Sequence, residues 1–129
     1  MIKKSLITLS IILFTSVTHA ETCPTVSQIK LHNFQGWGLF DRDGNTQPSD
    51  NFTNDVASFA LGYFAPEAPE GEAQCYYKDS SGSDYMNVYL AKETLHPDTS
   101  SVTWVAFNDG RMECYSNDPA RCLFVVGNS

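Results

Sequence analysis

Residues 73–78 alternate at a two-residue period, Ala73, Cys75 and Tyr77 facing one way and Gln74, Tyr76 and Lys78 the other. That is the pattern of a half-buried strand, and it turns its cysteine inward. Residues 84–91 alternate in the same manner, with Met86, Val88 and Leu90 opposing Tyr85, Asn87 and Tyr89. The link at 79–83 consists of Asp, Ser and Gly, which is turn chemistry. Pattern and turn residues together predict an antiparallel hairpin, and the remaining chain must be built around it.

An inward cysteine on a central strand needs a partner. The chain has four, Cys23, Cys75, Cys114 and Cys122, an even set that in an exported protein most simply forms two disulfides. Four cysteines allow three pairings, and spacing does not choose among them. The expected pairing joins Cys114 to Cys122, closing the polar loop 115–121, and Cys23 to Cys75, tying the N-terminal region to the hairpin. By the chain-entropy account each bridge contributes about 2 to 4 kcal/mol, which matters in a small domain.

Export itself is legible at the N-terminus. Lys3 and Lys4 give a basic start, residues 6–17 form an apolar run, and Thr18-His19-Ala20 offers small residues at a cleavage position. This predicts a secretory signal peptide over residues 1–20, cleaved after Ala20, and one β domain over 21–129. The protein is then periplasmic or secreted. The apolar run is short for a mature anchor, no later stretch is apolar for about twenty residues, and Glu21 and Thr22 separate Ala20 from Cys23, against a lipid anchor. No stable membrane anchor is expected.

Cleavage leaves six basic against fifteen acidic residues, a formal net of −9. Such a surface disfavours nucleic acid and anionic membranes and steers a cationic partner inward. Solubility of an exported protein is the plainer role for the same charge.

Along the mature chain, Pro24 sets an extended entry, and Ile29 and Leu31 against Lys30 and His32 predict a first strand near residues 27–34. Gly36 and Gly38 flank Trp37 and disfavour a helix there. Residues 41–50 read as an exposed polar loop. Residues 51–64 fit either period; a helical turn over 51–56 followed by a strand over 57–64 is expected, stopped by Pro66, with an acidic loop over 65–72. Residues 101–107 carry apolar side chains on both faces, as in a strand that is central in a two-layer core or one whose apolar face awaits a partner. Asn108-Asp109-Gly110 predicts a hairpin turn into 111–115, and 121–126 is the last strand. The fold expected is all-β and mainly antiparallel, a small disulfide-stapled sandwich or flattened barrel of about six to eight strands with room for one short helix.

The chemistry for catalysis is thin. After cleavage only His32 and His96 remain, in no recognisable motif, and no Gly-x-Ser-x-Gly elbow is present. Four paired cysteines leave no thiolate, and neither Cys-x-x-Cys nor a His pair at metal spacing occurs. Asp41, Asp43 and Gly44 suggest a calcium loop, but Thr46 and Phe52 stand where an EF-hand requires glycine and glutamate. Carboxylates are numerous enough for a two-carboxylate hydrolase, yet they gather in loops, at Glu67, Glu70 and Glu72 and at Asp41 and Asp43. No catalytic residue, metal or cofactor is expected.

What remains is a wealth of rings, namely Trp37, Tyr63, Tyr76, Tyr77, Tyr85, Tyr89, Trp104 and Tyr115. Tyrosine and tryptophan combine a large contact area with a polar handle. The candidate binding residues are Trp37, Tyr76, Tyr85 and Tyr89, with Asp41 and Asp43 from the polar loop. Tyr85 and Tyr89 are expected to form a stripe with Tyr76 on the neighbouring strand. The first reading is a non-enzymatic protein-binding protein with a cationic partner, in concrete form an acidic inhibitor of a cationic enzyme such as lysozyme, or a secreted effector. A carbohydrate-binding module is the alternative, and a small hydrolase the third.

The order Cys23-Pro24, Gly36-Trp37, Cys75-Tyr76-Tyr77, Trp104, Cys114, then Cys122-Leu123-Phe124 resembles a family of short exported four-cysteine proteobacterial proteins of unknown function. The likeness spans nearly the whole mature chain. It implies export and disulfides and brings no activity with it. Residues 41–50 depart from the pattern and are a candidate recognition element of this chain.

Overall fold

The computed structural model describes residues 20–66, 72–82 and 85–126. Of the expected signal peptide, residues 1–19 lie outside the described residues, as does most of the acidic loop, at 67–71. In chain order the strands are β1 (Ala20–Glu21), β2 (Gly38–Asp41), β3 (Val56–Ala65), β4 (Glu72–Asp79), β5 (Tyr85–Glu93), β6 (Leu95–Pro97), β7 (Val105–Ala106), β8 (Met112–Tyr115) and β9 (Phe124–Val126). Two short helices, α1 (Val26–Lys30) and α2 (Asp50–Asp55), precede β2 and β3.

All strand pairs are antiparallel, in one six-stranded sheet of order β2-β5-β4-β3-β8-β7 and one three-stranded sheet of order β1-β9-β6. Both sheets keep free edges, so the fold is not a barrel. The hairpin expected from alternation is β4 and β5, with Tyr76 opposite Tyr89 and Cys75 opposite Leu90.

One face of the large sheet closes over the core. Ala73, Cys75, Tyr77 and Leu90 are fully buried there. The Tyr77 ring meets Phe52 and Phe59 edge-on at 5.6 and 5.5 Å, and its hydroxyl donates to the Pro24 carbonyl at 2.6 Å. The disulfides are Cys23–Cys75 and Cys114–Cys122, and they fit an oxidising compartment. Gly62 lies between Cys75 and Cys114 in register. A Cβ there would stand 3.1 Å from the Cys122 Cβ and 3.3 Å from the Trp104 ring, so glycine lets bridge and indole press onto β3. The three-stranded sheet packs on this same side, through buried Phe124 and through His96, whose ring lies 5.1 Å from Phe64.

Three sequence expectations need correction. Residues 27–34 are not a strand: Val26–Lys30 is helical, started by a capping box in which Thr25 Oγ1 accepts from Gln28 N–H and Gln28 Oε1 accepts from Thr25 N–H. Its end is a Schellman turn, with His32 at φ 57°, His32 N–H bonding Ile29 O and Asn33 N–H bonding Gln28 O. Residues 101–107 are not a central strand either. Only Val105–Ala106 pairs, at the sheet edge, because Trp104 turns into the core, stacking edge-on at 5.0 Å with Phe124 and donating to Leu123 O. That leaves Val102 97% exposed. The last strand is shorter than 121–126, since a 3-10 turn over Pro119–Arg121 delays it to Phe124.

The helix-then-strand reading of 51–64 matches α2 and β3. The turn at 108–110 joins β7 to β8, with Gly110 at φ 94° and Phe107 N–H bonded to Arg111 O.

Candidate functional site: the open face of the large sheet

The other face of the six-stranded sheet is different in kind, with half-buried rings lying over buried Leu61, Gln74 and Ala91. Register decides which side chains it gathers. Phe40 sits opposite Tyr89, Tyr89 opposite Tyr76, Tyr76 opposite Leu61, and Tyr63 opposite both Gln74 and Glu113. The rings therefore form a continuous row across four strands. Centroids are 6.1 Å apart for Phe40 and Tyr89, 5.2 Å for Tyr89 and Tyr76, and 6.2 Å for Tyr76 and Tyr63.

The geometry of that row matters. Tyr76 and Tyr89 are stacked with an interplanar angle of 25°, and Tyr63 meets Tyr76 at 88°. The ring faces are thus occupied by one another. The stacked pair leaves each ring one face fewer for a ligand.

A hydrogen-bonded chain fixes the centre of the row. Tyr76 Oη donates to Gln74 Oε1 at 2.5 Å, and Gln74 Nε2 donates to Glu72 Oε1 at 2.7 Å. These three residues share a strand face at i, i+2, i+4, so the chain follows from the pleat. Burial, reinforced by Tyr89 and Tyr63, pushes the Tyr76 hydroxyl well above its ordinary range against an opposing pull from Arg42. Burial, with Glu72 and Asp41 nearby, raises Tyr89 as well.

The two ends of the face carry opposite charge. At one end Glu72 and Glu93 lie directly opposite one another, and Glu113 shares their side. Tyr115, 61% exposed, donates to Glu113. At the other end stands Arg42, which follows Phe40 at i+2 and borders the stack. Like charges opposed across a strand pair destabilise the free protein slightly.

The chain matches no family model, no curated protein and no solved structure.

The expected site residues divide between the two sides. Tyr76 and Tyr89 come together as the sequence suggested. Trp37 does not join them: it packs against the core, with the Lys92 ammonium 5.8 Å from its ring, and Lys92, opposite buried Ala73, belongs to the closed side. Asp41 pairs with Val88 and also has closed-side parity. Its Oδ1 accepts from the Asp43 and Asn45 N–H groups and its Oδ2 from Gln47 Nε2, so this carboxylate holds the 41–47 turn. Asp43 is exposed at the turn. Tyr85 begins β5 opposite Lys78, and its side chain lies outside the described residues. Of the other rings, Tyr77 and Trp104 are buried.

The sequence reading missed Phe40, Arg42, Leu61 and Gln74 and left Tyr63 out of the site. Tyr63 had a signal, since alternation along β3 puts it with Leu61. The others depend on which strand lies beside which. Among the described residues no three His, Cys, Asp or Glu side chains converge as a metal site, and no helix is long and apolar enough to cross a membrane.

Proposed function

We propose that this chain is an exported, non-enzymatic binding protein that engages a protein partner through the open face of its large sheet, acting in the periplasm or outside the cell after removal of a signal peptide ending at Ala20. The observation that carries the reading is the Tyr63–Tyr76–Tyr89 row with Phe40, a large aromatic surface of half-exposed rings gathered on one face of a rigid sheet. Rigid rings bind at low entropic cost because only two torsions need be fixed. Two disulfides and the export-type N-terminus support a working place outside the cytoplasm.

A protein partner fits better than a glycan because sugar stacking needs a ring face, and Tyr76 and Tyr89 turn theirs toward each other. Net charge favours a cationic partner at the encounter stage, an inhibitor of a cationic enzyme being one concrete form. The test is capture by immobilised oxidised protein from cell extract at low and moderate salt, with the wild type beside Tyr76→Ala/Tyr89→Ala. A partner recovered by the wild type, weakened by salt and lost from the variant supports the reading. Identical capture by both proteins refutes the face as the site.

A further inference from the structure

Beside the stack, on the open face, lies a solvent-facing pocket of about 270 Å³ lined by Arg42, Leu61, Tyr76 and Tyr89. Its walls are apolar. Leu61 is only 9% exposed, and two phenol rings supply the sides. Its one charged group is the Arg42 guanidinium, which makes no ion pair among the described residues although the chain carries a formal net charge of −7.

The polar groups around it are the guanidinium and the two phenol hydroxyls. The Tyr76 hydroxyl is committed to Gln74, while that of Tyr89 makes no hydrogen bond among the described residues. The two carboxylates whose charge is felt at Tyr89 are already hydrogen-bonded, Glu72 by the Gln74 amide and Asp41 by its own turn. The Arg42 guanidinium and the Tyr89 hydroxyl can thus both donate to one anion over an apolar floor, and guanidinium is the side chain best shaped for a carboxylate.

We propose that this pocket binds a carboxylate joined to an apolar group, the carboxylate held by Arg42 with the Tyr89 hydroxyl as second donor, and the apolar part seated on Leu61 and the Tyr76 ring. The inference rests on the docking reading for the source of that group, the C-terminal end of a partner chain finishing in an apolar residue. Net charge and pocket act at different ranges: the acidic surface draws a cationic partner in, and the pocket selects one group on it.

The probes are N-acetylphenylalanine and its uncharged amide, titrated into the oxidised protein with NMR chemical shifts as readout. The acid is expected to bind about tenfold more tightly than the amide, equivalent to about 1.4 kcal/mol, with shifts centred on the pocket. Arg42→Gln should bring the acid down to the affinity of the amide, and Tyr89→Phe should cost the acid a few-fold. Because Arg42 is exposed on a loop, its variant is expected to keep the wild-type spectrum elsewhere.

Equal affinity of acid and amide for the wild type, or an acid preference that survives Arg42→Gln, overturns the proposal. A tripeptide ending in phenylalanine that binds more tightly than the single residue identifies a chain end as the source; equal binding identifies a free small carboxylate. If the acid preference is absent while Tyr76→Ala/Tyr89→Ala still loses the protein partner, the pocket proposal fails and the docking reading stands. The reverse result fails the docking reading alone.

Discussion

Tyr77 is fully buried between Phe52 and Phe59, with its hydroxyl donating to Pro24 O across 53 residues of sequence. Tyr76, one position earlier, is half-buried on the opposite face, stacked on Tyr89 and bonded to Gln74 two residues away. Residue type and strand are the same, so the difference comes from the pleat alone. The closed face collects long-range contacts, both disulfides and both helices, whereas the open face collects cross-strand neighbours. A residue on the first side is held by contacts distant in sequence; one on the second is held mainly by its strand neighbours.

The sharpest way to break this comparison is to truncate each tyrosine in turn. Tyr77→Ala should destabilise by about 3 to 5 kcal/mol, because it opens a cavity among close-packed rings. Tyr76→Ala should cost about 1 kcal/mol, the worth of a half-buried aromatic pair. Urea unfolding with disulfides intact measures both, and equal losses would erase the distinction.

The bridges sharpen it next. Cys23–Cys75 closes a separation of 52 residues and Cys114–Cys122 one of 8. In the chain-entropy account, replacing the first pair by alanine should cost about 4 kcal/mol and the second about 2.5 kcal/mol. Thermal unfolding of the two double variants should therefore rank them in that order.

Much of this architecture was legible, and the failures have physical causes. Residues 73–78 and 84–91 were readable because a sheet with one buried face enforces a two-residue period over a whole strand. The segment at 27–34 was not, because Ile29 and Leu31 also satisfy that period and a five-residue helix is too short to show its own. The decisive signal there was Thr25 with Gln28 three residues on, a capping box. Residues 101–107 looked central because apolar side chains fell on both faces, but Trp104 is used singly, as a plug against Phe124. The candidate site was half legible. Tyr76 and Tyr89 lie on a hairpin whose register a local turn restricts, whereas Phe40 and Tyr63 reach the row only through the pairing of β2 with β5 and β3 with β4, a tertiary fact.

Smaller effects follow from the hydroxyls. Tyr77→Phe leaves the Pro24 carbonyl without its buried donor and should cost about 1 to 3 kcal/mol, whereas Tyr76→Phe should cost about 1 kcal/mol, since the Gln74 side chain that loses its donor can turn to another partner and the Pro24 carbonyl cannot. Burial raises both hydroxyls above their ordinary value, with Tyr89 and Tyr63 adding to the effect at Tyr76. The folded protein therefore keeps protons that the unfolded chain releases. The associated stability is fully present below pH of about 10 and is lost as pH rises beyond it toward the folded values. A urea midpoint that falls steeply above that pH in the wild type, and less steeply in Tyr77→Phe, is the expected result.

The most direct test of the division between the faces is partner capture by Tyr76→Ala/Tyr89→Ala, with each sample's urea midpoint recorded alongside. The account predicts a variant that stays folded within about 2 kcal/mol of the wild type and no longer retains the salt-sensitive partner. A folded variant that retains it would show that the open face is not where this protein binds.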